Sequence, residues 1–269
     1  MKYALIVGAY SGLAQSVIDS LKDEFTIFAL DKNPIIKDLY RGVNSIHTYI
    51  CDITDYSQIE AIRDEIKKAT SFLDVIINFA GIVELGSVIE VSPEALNRTL
   101  QINLIGTYKI NHAFFPFVKD SKGRIIILSS EYGKLLALPF HSFYTLSKHA
   151  LEIYADSLRR EVQSFGIKVI KIRPGSFKTN MVDNIQNQFA HLVTDSKLFK
   201  KPLTKMESLM IGEIKSAKDP KKIVKVFKKA IYKKHPRLSY RVHNSFKMRL
   251  LNALPAKLQD WILGRFFTN

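Results

Sequence analysis

The chain opens with an unbroken apolar run, Tyr3-Ala4-Leu5-Ile6-Val7, followed by apolar residues at helical spacing, Leu13, Val17, Ile18 and Leu21. A run without alternation suits a strand buried on both faces, whereas intervals of three and four line one stripe of a helix. The exchange recurs. It predicts further strands over 25–30, 45–51, 73–78, 124–130 and 167–173, separated by helices over 56–69, 93–118 and 143–165. Buried strands joined by helical crossovers imply a single-domain, Rossmann-type, doubly wound parallel sheet with helices on both faces. Beyond Thr179 the pattern lapses into a polar, irregular stretch to about residue 217. A basic helix over 220–234, a strand over 237–242 and a terminal helical region broken at Pro255 follow. The expected organisation is a catalytic domain over 1–243, with a substrate lid over about 177–217, and a basic amphipathic extension over 244–269.

With 46% hydrophobic residues the chain can bury a full core. Its longest apolar runs fall far short of the roughly 20 residues of a membrane-spanning helix, and the first apolar run reads as a strand rather than a signal segment. The single Cys51 has no disulfide partner and no metal-ligand spacing around it, so it is expected to be a buried small residue in a reducing, cytoplasmic protein without a metal. Net charge is +15, and residues 200–269 hold 18 Lys and Arg against four acids, which is +14 of it. Such a tail attracts anionic lipid or acidic ligands, or simply forms a solvated helix face. No nucleic-acid-binding motif accompanies it, so no specific nucleic acid is expected. The last 24 residues mix Lys and Arg with Leu, Trp and Phe, as an interfacial helix does, which keeps peripheral membrane contact open beside packing on a second subunit in a homodimer or homotetramer.

Gly8-Ala9-Tyr10-Ser11-Gly12-Leu13-Ala14 lies between the first strand and the first helix, where backbone N–H groups and the positive helix end receive a pyrophosphate. Asp31, 23 positions after Gly8, ends the second strand at the distance where a carboxylate bonds an adenosine ribose and repels a 2′-phosphate, which favours NAD(H) over NADP(H). Lys32 opposes that preference. Asp52, with Ile53 beside it, is placed to meet the adenine, and Asn78-Phe79-Ala80-Gly81 ends the fourth strand where the sheet would face a cofactor.

Tyr144 and Lys148 share a helix face at i and i+4, and a nearby cation favours a phenolate, so Tyr144 is a candidate general acid and base. Ser130 closes the fifth strand 14 positions earlier, a hydroxyl able to hold a substrate oxygen against the phenol. Taken together, the Gly8 turn, Asn78-Phe-Ala-Gly81, Asn103, Ser130, Tyr144-x-x-x-Lys148 and Arg173-Pro-Gly-Ser-Phe-Lys-Thr179 resemble the classical short-chain dehydrogenase/reductase family. The likeness runs from residue 1 to about 180. It implies that Lys148 bonds the nicotinamide ribose, that Asn103 binds a water linking Lys148 to solvent, and that Pro174, Gly175, Phe177 and Thr179 hold the carboxamide end. Val7, Ala14 and Phe79 depart from the usual family residues and leave the catalytic groups intact.

The resemblance implies an alcohol and carbonyl substrate interconverted with NAD(P)(H). Leu135-Leu-Ala-Leu-Pro-Phe140 with Phe189, Leu192, Leu198, Phe199 and Met210 suggests an apolar pocket under a mobile lid, suited to a hydrophobic substrate. Two other readings remain open at this point: a polar-substrate reductase of sugar or cell-envelope synthesis, and a non-catalytic dinucleotide-binding sensor or scaffold.

Overall fold

The computed structural model describes residues 1–268. Strands β1 (Lys2–Val7), β2 (Phe25–Asp31), β3 (Ile46–Ile50), β4 (Val75–Asn78), β5 (Arg124–Leu128), β6 (Lys168–Pro174) and β7 (Ser239–Val242) form one sheet. Their order is β3-β2-β1-β4-β5-β6-β7, with every pairing parallel. The chain winds outward from β1 in one direction and from β4 in the other. Val7, the last residue of β1, pairs with Leu30 on one side and Asn78 on the other. The crevice beyond these strand ends is where an open sheet of this kind receives ligands.

Alternate residues of β1 enter two different cores. Ala4 and Ile6 pack with Val17, Ile18 and Leu21 of α1 (Gly12–Leu21) and with Phe227 and Ile231 of α9 (Val224–Tyr232). Leu5 and Val7 face the opposite layer, built from α3 (Tyr56–Ala69), α5 (Thr107–Ser121) and α6 (Ser142–Glu161). Both faces of the sheet are therefore covered, and the apolar strand runs follow from that. The short helix α2 (Ile36–Leu39) follows β2, and α4 (Pro93–Leu100) runs into α5 through one wider π turn, Gln101–Gly106.

The segment expected to be irregular forms two 16-residue helices, α7 (Asn180–Asp195) and α8 (Lys200–Lys215). Ile185, Phe189 and Leu192, then Leu203, Met206 and Met210, do keep helical intervals. The stripe is narrow because these helices meet the body of the protein on one side only, and polar residues fill the rest of the turn. The chain does break at Pro255, between α10 (Phe246–Asn252) and α11 (Ala256–Thr268). Met248, Leu263 and Phe267 pack onto the α7–α8 cluster, and the Phe267 ring meets Phe140 edge-on at 5.9 Å.

A buried ionic network joins α6 to the sheet. Glu152 receives Arg173 Nε and Nη2, both at 2.7 Å, and Lys171 Nζ at 3.1 Å; the same lysine reaches Asp156 at 2.6 Å. Glu152 is 2% exposed and Lys171 5%. Burial opposes ionisation of Glu152, but the Arg173 guanidinium and Lys171 outweigh it and hold the carboxyl below the usual carboxylate range. With a depressed folded-state value, its stabilisation is present above the unfolded pKa and is lost as pH falls through the folded one. Glu152→Ala leaves two buried cations without their shared carboxylate and is expected to destabilise the protein by about 3–5 kcal/mol. Urea unfolding of the two proteins at neutral pH checks this; a difference under about 1 kcal/mol would show the network to be dispensable.

Candidate active site

At the carboxyl ends of the strands lies a cavity of about 420 Å³. Gly8 begins its floor with a left-handed φ of +78°, and its N–H bonds Leu30 O at 2.8 Å. A Cβ built on Gly8 would sit 2.5 Å from the Ala80 nitrogen, so only glycine lets the turn approach the end of β4. Ser11 caps α1 by accepting a bond from Ala14 N at 3.3 Å, and Gly12 and Leu13 begin that helix at the cavity edge. A bare turn leading into a helix N-terminus suits a diphosphate.

Asp31 lines the cavity, its carboxylate accepting from Tyr10 N and Asn33 N, both at 2.9 Å. Each oxygen retains a lone pair for a ribose hydroxyl. Lys32 lines the same wall. Next to it, Asp52 takes bonds from the Thr54 amide at 2.9 Å and hydroxyl at 2.8 Å. Partial burial opposes ionisation of Asp52, yet these bonds hold its carboxyl below the usual range. Ile53, Ala80, Gly81, Pro174, Gly175, Phe177 and Thr179 complete the lining anticipated for a dinucleotide.

Two anticipated residues stand behind the lining. Asn78 is 3% exposed and donates to Asn111 Oδ1 at 2.9 Å, which ties the end of β4 to α5. Asn103, in the π turn, is fully buried. Its amide nitrogen donates to Ile82 O and Ser147 Oγ, both at 2.9 Å, while its oxygen accepts from Ile82 N at 2.8 Å. It thereby braces the loop after β4 against α6. A Cβ on Gly81 would lie 3.2 Å from Asn103 Oδ1 and 3.4 Å from Lys148 Nζ, so the missing side chain keeps the space between them open.

Ser130 follows β5 and lines the cavity together with the Tyr144 phenol, while Lys148 Nζ lies 5.7 Å from the centre of the Tyr144 ring and donates to Leu128 O at 3.2 Å. The i and i+4 spacing does place both on the cavity side of α6. Its electrostatic consequence differs from expectation. Burial pushes the Tyr144 phenol up to about 12, only partly offset by the nearby Ser130 hydroxyl, with Glu131 adding to the rise. Burial likewise brings Lys148 down to about 8 against the pull of Glu152. In a dry site desolvation penalises the phenolate and the ammonium alike, so proximity in sequence does not by itself ionise the tyrosine.

Three cavity residues were missed from the sequence. Glu131, directly after Ser130, is 7% exposed; His141, three residues before Tyr144, is 2% exposed; Glu213 projects from α8. Glu213 stood out as one of only four acids in the basic tail, but its segment was not read as a helix over the site.

Residues 2–189 match the family described as short chain dehydrogenase. The chain belongs to that family. This short-chain dehydrogenase is 27% identical to the "Uncharacterized oxidoreductase YusZ" of Bacillus subtilis over 93% of its own length and 92% of that protein. It is 24% identical to the "3-ketodihydrosphingosine reductase" of Bacteroides thetaiotaomicron, over 96% and 92% of the two chains. The "NADPH-dependent 3-dehydrocapnine reductase" of Ornithobacterium rhinotracheale is 29% identical over 67% of each. Among solved structures, a short-chain dehydrogenase from Streptomyces avermitilis superposes with a TM-score of 0.77 at 21% identity, covering 100% of this chain and 98% of that one. One from Burkholderia cenocepacia in complex with NADP gives 0.72 at 20% identity, covering 100% of both. The short-chain dehydrogenase described here is thus an oxidoreductase acting on hydroxyl groups.

Proposed function

We propose that this dehydrogenase interconverts a ketone and a secondary alcohol on a substrate with a long apolar portion, working as a reductase. The observation that carries the reading is the Ser130–Tyr144 hydroxyl pair placed where the dinucleotide cavity runs into the apolar cluster under α7 and α8. Val83, Leu138, Phe140, Phe189, Met206 and Met210 belong to that cluster. It favours an apolar chain over a sugar, and the intact Ser130, Tyr144 and Lys148 speak against a purely sensing role.

A nicotinamide held along this cavity would supply the hydride that the carbonyl carbon receives. Ser130 holds the carbonyl oxygen, and Tyr144 delivers the proton from its Oη as charge develops there. The Tyr144 phenol carries the proton a donor needs, and the relatives named as reductases support the direction. Lys148 bonds the nicotinamide ribose, and the opening left by Gly81 between Lys148 and Asn103 accommodates the water of a solvent relay. Asn78 and Asn103 act as positioning residues behind the cofactor. Tyr144→Phe retains the ring and removes the proton, so turnover of a long-chain ketone is expected to fall by at least about 10³-fold while dinucleotide affinity changes little. Retention of turnover would overturn the mechanism.

Asp31 supports a preference for NAD(H), because its carboxylate offers acceptors to ribose hydroxyls and repels a 2′-phosphate. Lys32 and the NADP bound by the Burkholderia cenocepacia dehydrogenase weigh the other way. Titration by fluorescence is expected to show tighter NADH than NADPH binding, with Asp31→Ala removing the difference; an unchanged preference in the variant would show that Asp31 does not set it.

Among the described residues no helix is long and apolar enough to cross a membrane. Phe246 and Leu250 of α10 and Trp261 of α11 are nevertheless 71%, 58% and 59% exposed, in the basic tail. Positive charge around exposed aromatic and aliphatic side chains fits an anionic lipid surface, which would deliver an apolar substrate to the α7–α8 face. Co-sedimentation with vesicles containing phosphatidylglycerol, and not with phosphatidylcholine vesicles, is the expected result, lost in Trp261→Ser/Phe246→Ser. Equal recovery with both lipids, or none, would exclude this attachment.

A further inference from the structure

Glu131 and Glu213 face the substrate end of the cavity with no cation of the protein's own to answer them. The chain has 40 Lys and Arg, yet among the described residues neither carboxylate joins any of the ion pairs. Glu131 Oε2 accepts from Ser245 N at 2.8 Å, which leaves its other oxygen without a hydrogen-bond donor from the protein. Burial raises Glu131 to about 7, with Glu213 adding to the rise, and burial alone raises Glu213.

His141 supplies an independent sign of an absent ligand. It is 2% exposed and lines the same cavity, and neither ring nitrogen has a hydrogen-bond partner; the nearby Pro139 carbonyl does not reach bonding geometry. Its ring stacks on Tyr132 at 5.4 Å with 7° between the planes, and burial keeps it neutral, down at about 4. A buried imidazole without partners is unfavourable until something polar meets it.

A buried acid, Glu131, and a half-buried one, Glu213, could be structural, or could hold a metal. Among the described residues no group of three or more His, Cys, Asp and Glu side chains is arranged to hold a metal ion. A structural pair would be expected to have basic or hydrogen-bonding neighbours from the protein, which Glu213 lacks. What remains is a cation that arrives with the ligand. Glu131 is the residue next to Ser130, so the positive charge would sit near the carbonyl that Ser130 holds, while the apolar cluster under α8 takes the rest of the molecule.

We propose that the substrate is an amino ketone: an apolar chain bearing a protonated amine close to the reacting carbonyl, with the ammonium received by Glu131 and Glu213 and a neighbouring polar group by His141. This deepens the reductase reading and rests on it for the position of the carbonyl. The ammonium donates hydrogen bonds to oxygens that otherwise have none and relieves the repulsion between them. Ammonium recognition makes these residues determinants of specificity, separate from the proton transfer at Tyr144.

The test is a binding measurement that does not need turnover. A long-chain 2-amino-3-alkanol and the 3-alkanol of equal length are titrated calorimetrically into the enzyme saturated with dinucleotide, each below its micellar concentration. The amino alcohol is expected to bind on the order of 30-fold more tightly. That ratio should fall toward one in Glu213→Gln and in Glu131→Gln, two variants made so that misfolding of either, seen by thermal melting, still leaves a test. Equal affinity of the two alcohols for the native enzyme would overturn the inference, as would a ratio that survives in both folded variants. Turnover of the matching ketones separates the two proposals. Reduction of both without preference retains the reductase reading and removes the amine; amine-selective binding without reduction of either retains the carboxylate site and removes the reductase reading.

Discussion

The site depends on how α6 lies against β6, and that is set by Glu152. The carboxylate grips Arg173 and Lys171 on the strand, one helical turn beyond Lys148 and two beyond Tyr144. Ser130 arrives from β5, which is registered to β6 through Leu128 and Ile172. Delivery of a proton from Tyr144 to an oxygen held by Ser130 needs both hydroxyls within reach of that oxygen, so a slip of α6 by even part of a turn would separate the pair. Polar groups buried this deeply are tolerated because they satisfy one another, and their directional bonds fix the rotation and height of the helix as apolar contacts alone would not. Asn103 adds a second brace, through Ser147, from the loop after β4.

The same dryness acts on every ionisable group in the cavity, with opposite results according to partner. Glu152 stays charged because two cations surround it. Tyr144 and Glu131 are held toward their neutral forms, and Lys148 gives up its proton more readily than a solvated lysine. Glu152, paired with two cations, thus holds the frame, whereas Glu131 and Glu213, in no ion pair among the described residues, line the cavity. This contrast separates the architectural charges from those available to cofactor and substrate, and it sets Glu131, Glu213 and His141 together although they come from three separate segments of the chain.

Much of the fold was legible because parallel strands covered on both faces leave continuous apolar runs, and β1, β2, β4, β5 and β6 carry them in order. The Gly8 turn was legible because its glycine pattern sits between a strand and a helix. The helices α7 and α8 were not, since each buries only a narrow stripe and its apolar residues are outnumbered within any short window. The expected lowering of the Tyr144 pKa by Lys148 likewise rested on spacing, and spacing carries no information on how much water a site retains.

The amino-acid sequence by itself determined the doubly wound sheet and the family, and marked Ser130, Tyr144 and Lys148 as the candidate constellation that lines the cavity, because strand burial and local helix spacing are short-range properties written in neighbouring residues. Tertiary structure alone decided that α8 brings Glu213 over the site, that Glu131 faces it without an ion-pair partner and His141 without a hydrogen-bond partner among the described residues, and that desolvation governs the tyrosine. Those outcomes depend on which distant segments meet and what they exclude, and burial is a property of the packed assembly rather than of any residue in it.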